Sequence, residues 1–261
     1  MSEAENSKFT DSAGVPWAGR SFDINPYSFD SGEADQDLIS AIKSFQSGAV
    51  GPEKVLEAIG KARLLIPLIA NVGVSGEGAH GLEVDKSADL SIVTVLTPDN
   101  QRALPVFSSV AAMNHWNKEA RPVPNDGRKV CLAAASEGNT RLVLDPMSET
   151  EFVVRRPGIA AIAQDLPWVS PASNPEVVEI INSVLADSKF VDSFTLVEGD
   201  PVCRLQGQEL LVVLYLEPGL TEEQLKALKE DFFTKIANSE RFVELVDSVG
   251  VKFLPGYQIT S

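Results

Sequence analysis

The chain has 261 residues, 44% of them hydrophobic and 23% charged, and a formal net charge of −15. That length holds one large domain or two ordinary ones with real cores, and no run reaches the ~18 uninterrupted apolar residues of a membrane span. The acid is uneven: residues 1–40 hold 8 acids against 2 bases, 41–169 hold 14 against 13, and 170–261 hold 15 against 7. Both flanks would repel a phosphate backbone, which argues against direct nucleic-acid binding.

Residues 1–34 read as an acidic, mobile tail, rich in Ser, Asp, Gly and Asn and without an apolar period. The tail has neither the basic start nor the apolar stretch of a secretory signal, so a cytoplasmic location is expected. Within it lies GVPWAGRSF, Gly14 to Phe22. A large indole in an acidic tail gains by leaving water, either by docking on its own domain or by capturing a partner. Trp17 and Arg20 are the recognition candidates of that box.

A helix is predicted from Asp35, with Leu38, Ile39, Ile42 and Phe45 on one face and Gly48 as its stop. A second opens at Pro52, a residue suited to a first helical turn, and carries Val55, Leu56 and Ile59. RLLIPLIA (63–70), ADLSIVTVLT (88–97) and RALPVF (102–107) read as strands of a hairpin or meander, with Pro67 marking an edge or bulge. Ser109 is placed to cap a helix over Val110–Trp116, and GRKVCLAAASEG is a further helix stopped by Gly138. Two strands within Thr140–Arg156 turn at Pro146, and a short apolar helix spans Gly158–Gln164. LPWVSPASNP has the composition of a linker.

Asn174 and Pro175 start another helix with Val177, Val178, Ile181, Val184 and Leu185 inward. Strands follow at Phe190–Val197 and Glu209–Leu216, the second apolar enough to be central. Thr221 and Gln224 form a capping box, and a short helix near Phe242–Val246 and a strand at Val251–Leu254 end the pattern. The fold class is therefore α+β. The predicted division is a tail over 1–34, a domain over 35–165 with a mixed or antiparallel sheet flanked by helices, a linker over 166–173, and a smaller α+β domain over 174–261.

Motifs that would carry chemistry are thin. Gly76 to Gly81 satisfies G-x-G-x-x-G, but the glycines run into a strand, so no helix N-terminus follows to hold a pyrophosphate. Two histidines, His80 and His115, cannot make a three-His zinc site, and no spacing adds a ligand. No metal or cofactor is expected. Cys131 and Cys203 read as two small buried hydrophobes. Arg121, Arg128, Lys129, Arg141, Arg155 and Arg156 read as scattered solvated surface. Asp145, before Pro146, is the most site-like acid, although Asp in that place serves turn geometry.

GVPWAGRSF, RLLIPLIA, RALPVFSSVAAMNHW, ARPVP and LVLDP occur here in the order and spacing of a known family. The chain resembles the SseB-like proteins of actinobacteria over roughly Gly14 to Pro171, and more loosely beyond. The resemblance implies an SseB-type N-terminal domain behind a tail with a Pro-Trp-Ala-Gly-Arg box, here Pro16 to Arg20, and a smaller C-terminal part. It carries over no established catalytic residues. The expectation is a non-catalytic interaction or regulatory protein with a protein partner, no membrane and no direct nucleic acid; sequence does not set its oligomeric state. The alternative is a small-molecule binder or enzyme that uses the strand-end residues Arg102, Ser108, His115 and Asp145.

Overall fold

The computed structural model describes residues 27–71 and 89–256. Asp35 starts α1 (Gln36–Gln46): its carboxylate accepts from the N–H groups of Asp37 and Leu38 at 2.9 and 3.1 Å. Gly48, at φ +75°, ends the turn behind that helix. α2 (Pro52–Lys61) begins with its proline and buries Val55, Leu56 and Ile59. β1 (Arg63–Asn71), β2 (Asp89–Ile92), β3 (Val95–Leu96) and β4 (Arg102–Val106) follow. Then come α3 (Val110–Trp116), β5 (Arg121–Asp126), α4 (Gly127–Ser136), β6 (Arg141–Leu144), β7 (Phe152–Arg155) and α5 (Arg156–Gln164).

These strands make two sheets, ordered β2-β1-β5 and β3-β4-β6-β7, joined by a bridge between Leu65 and Phe107. β4 and β6 run parallel, and every other pair in the two sheets is antiparallel. Pro67, expected at an edge or bulge, lies instead in the central strand β1. The Leu65 N–H bonds to Phe107 on one side, so alternation aims the proline's missing donor at that same side, in the gap between Phe107 and the start of β2. On the other side Pro67 faces Pro122, and Leu65 faces Pro124. The β5 prolines thereby turn their donorless nitrogens to the edge that has no partner strand among the described residues, where they blunt the addition of a further strand.

α1, α2, α4 and α5 cover one face of the sheets. There Leu64, Ile66, Leu104, Val106, Leu142, Leu144, Phe152 and Val154 alternate with residues of the opposite face and bury one core. On that opposite face Phe107 packs with Leu65, Met113 and Ala120, its ring 5.3 Å from that of the half-buried Trp116. Ala103, Val143 and Val153 lie on the opposite face too, against Val95 and Leu205.

The chain continues through α6 (Pro175–Leu185), β8 (Val191–Glu198), β9 (Leu210–Leu216), α7 (Glu222–Ala237), α8 (Glu240–Leu245) and β10 (Val249–Pro255). β9 is central in the sheet β10-β9-β8, parallel to β10 and antiparallel to β8. A second core forms around Val177, Ile181, Val212, Leu214, Phe232 and Phe242. Thr221 and Gln224 close the expected capping box at 3.2 and 2.8 Å. The architecture is α+β, with mixed and antiparallel sheets flanked by helices. Residues 32–261 cluster as one contact unit holding both cores. The linker-like segment is packed within it: Ser170 is 1% exposed and its N–H donates to Glu53 at 3.3 Å.

Candidate functional site

The sequence candidates Ser108 and Asp145 meet. Ser108 follows β4, Asp145 follows β6, and parallel pairing of those strands brings their ends together. One carboxylate oxygen of Asp145 accepts the Ser108 N–H at 2.7 Å; the other accepts the Ser108 and Thr150 hydroxyls at 2.7 and 2.8 Å. Asp145 is 0% exposed and Ser108 2%. Every oxygen is occupied and the group is shut from solvent, so the geometry is that of a bracket binding two turns. The other candidates stand apart. Arg102 is exposed at the far end of β4, roughly 20 Å from Ser108 along an extended strand. His115 is exposed on α3. Trp17 and Arg20, like the glycine-rich loop with His80, lie outside the described residues.

A second cluster was not legible. Arg141 and Arg155, expected on the surface, are 4% and 8% exposed. They face each other across the antiparallel β6–β7 pair, so two guanidinium groups emerge side by side. Arg141 pairs with Asp99 at 2.8 Å and Asp247 at 2.7 Å. Arg155 pairs with Asp200 at 2.8 Å and Asp247 at 3.4 Å, and also donates to the Gly207 carbonyl and the Ser248 hydroxyl. Burial opposes the Arg155 charge, but the Asp200 hydrogen bond and the surrounding carboxylates outweigh it and hold the guanidinium above its ordinary pKa. Asp200 is also the hub of the turn that follows it, accepting the N–H groups of Arg204, Leu205 and Gln206.

Glu209, 7% exposed, is a carboxylate set against its own charge. Burial pushes its pKa up to about 7, and the neighbouring Asp247 charge adds to the push despite an N–H donated by Asp247 at 2.6 Å. The folded state therefore holds a proton that the unfolded chain releases near 4.5. Glu209 costs nothing below that pH, its penalty grows as pH rises to about 7, and above 7 the full penalty, about 3 kcal/mol, applies. Glu209→Gln is expected to raise stability by at least about 1 kcal/mol at pH 8 and to leave it near wild type at pH 4, read from urea unfolding at both pH values. An equal shift at both would assign the effect to packing.

The thiols are not poised for attack. Burial lifts Cys131 to about 12, and burial with the Asp200 charge lifts Cys203 further. Among the described residues, no group of three or more His, Cys, Asp or Glu side chains is arranged to hold a metal ion, and no helix is long and apolar enough to cross a membrane.

No curated protein and no solved structure matches the chain. A family model does match, the SseB protein N-terminal domain over residues 38–161, from the first inward leucine of α1 into α5. That span contains both sheets of the first core and the Ser108–Asp145 bracket, so residues 38–161 of the chain are similar to an SseB-type N-terminal domain.

Proposed function

We propose that the protein is a non-catalytic cytoplasmic interaction or regulatory protein, acting through a protein partner and not through nucleic acid or a membrane. The observation that carries this reading is the closure of the Ser108–Asp145 pair. A hydroxyl beside a carboxylate is the start of a nucleophile–base arrangement, but here no imidazole among the described residues adjoins it, and both side chains are buried. The buried arginines are likewise committed to internal carboxylates. The acidic flanks disfavour nucleic acid, and Trp17 in the tail supplies a portable apolar anchor of the kind that dominates small interfaces.

The test compares the intact chain with a Trp17→Ala, Arg20→Ala double variant as bait. The intact chain is expected to retain a discrete partner that the variant loses by at least tenfold. Equal recovery of the same partners by both would remove the tail from recognition.

A further inference from the structure

One cleft in the molecule brings together two opposite charges that do not neutralise each other. It lies between the end of α1, the start of β7 and the turn Pro201–Gln206, and encloses about 220 Å³. The half-buried Phe45, packed edge to face on the core ring of Phe152 with centroids 5.4 Å apart, supplies aromatic surface; Pro201 and Val202 supply an apolar wall. Arg204 and Glu151 also line it. The guanidinium is fixed by three carbonyls: Nε donates to Glu151 at 3.3 Å, and Nη2 to Ser148 and Glu149 at 3.3 and 2.8 Å. Its Nη1 donates to nothing, and no carboxylate among the described residues pairs with it. Glu151 is held too, one carboxylate oxygen accepting the Met147 N–H at 2.6 Å, and no cation among the described residues pairs with it.

Both charges thus belong to turns whose backbones hold them apart. Those turns carry four of the six non-glycine residues at positive φ among the described residues: Asp145, Met147, Cys203 and Leu205. Conformations of this kind persist where surrounding contacts over-determine them, and they gather at ligand clamps. The Asp145 bracket and the Asp200 hub are the contacts that impose them here.

We propose that this cleft binds a free apolar α-amino acid. The ligand carboxylate meets the open Nη1 of Arg204, which adds a charge-assisted hydrogen bond. The ammonium meets Glu151, and the side chain lies against Phe45, Pro201 and Val202. The cleft is small, about 220 Å³, a size that suits one amino acid better than a nucleotide. The proposal stands apart from the partner reading, since it uses none of the tail residues.

Calorimetric titration of the full chain with L-phenylalanine and L-leucine tests it. Both are expected to bind with sub-millimolar Kd, and 3-phenylpropionate and phenethylamine, each lacking one charge, at least tenfold more weakly. Arg204→Gln should abolish binding. Because Arg204 also ties down a turn, Val202→Trp is the companion variant: it starts from an exposed residue, leaves every Arg204 bond in place, and should fill the cleft and abolish binding with an unchanged Tm. No heat from either amino acid at millimolar concentration would overturn the assignment. So would binding that survives Val202→Trp, or equal affinity for the single-charge analogues.

Discussion

Replacing Arg155 by alanine is expected to destabilise the protein by about 3–5 kcal/mol, the range for removing one partner of a buried ion pair. The figure follows from what stays behind. Asp200 and Asp247 have side chains only 2% and 5% exposed, and neither can regain water when the guanidinium leaves. Asp247 keeps Arg141, but Asp200 keeps only backbone N–H groups. For a chain of this length the Tm should fall by about 10 °C. Arg155→Lys should recover less than half, since one ammonium cannot span Asp200, Asp247 and the Gly207 carbonyl together. Adding Asp200→Asn to Arg155→Ala should restore part of the loss, because the uncompensated charge is then gone. Urea unfolding reads all three, and a single-variant cost below about 1 kcal/mol would show that water reaches the cluster after all.

The contrast between the two polar clusters shows what a sequence makes legible. Helices and their caps were readable because a cap needs only three or four neighbouring residues: Asp35, Ser109, Asn174 and Thr221 each accept from N–H groups within their own first turn. β6 and β7 were readable as apolar runs, RLVL and FVVR, but nothing in those runs separates the core-facing residues from the opposite face. β5 was missed, since two prolines in six residues hide a strand unless the open edge that tolerates them is known. Arg141 and Arg155 passed for surface because their partners are 42 to 106 residues away, and charge counting cannot pair residues across that distance. Alternation gave no warning either, because each arginine shares the phase of Val143 or Val153, opposite to the core-facing Leu142, Leu144, Phe152 and Val154. Arg204 and Glu151 left no signal at all, because the cleft they share depends on two turns held by remote carboxylates.

Asp145 was visible as a turn residue, and its replacement is the sharpest test of whether it is only that. Asp145→Ala is expected to cost about 3–5 kcal/mol, because it strands the Ser108 N–H and two hydroxyls in a site closed to water. It also places alanine at φ 46°, a conformation that an Asx side chain tolerates better. Asp145→Asn should cost only about 1–2 kcal/mol. Its carbonyl oxygen can still take the Ser108 N–H, while its amide donates to the Ser108 and Thr150 hydroxyls, which rotate and accept instead. Thr150→Val should cost about 1 kcal/mol in the wild type and little more in the Ala variant, since its acceptor is already gone there. A catalytic carboxylate would give the opposite pattern, with Asn as disabling as Ala in any function assay yet nearly silent in stability. Thermal unfolding of the wild type and the four variants, paired with partner capture by each, separates the two. If Asn unfolds the protein as readily as Ala, the carboxylate charge itself holds the bracket, and reversible hydroxyls do not explain it.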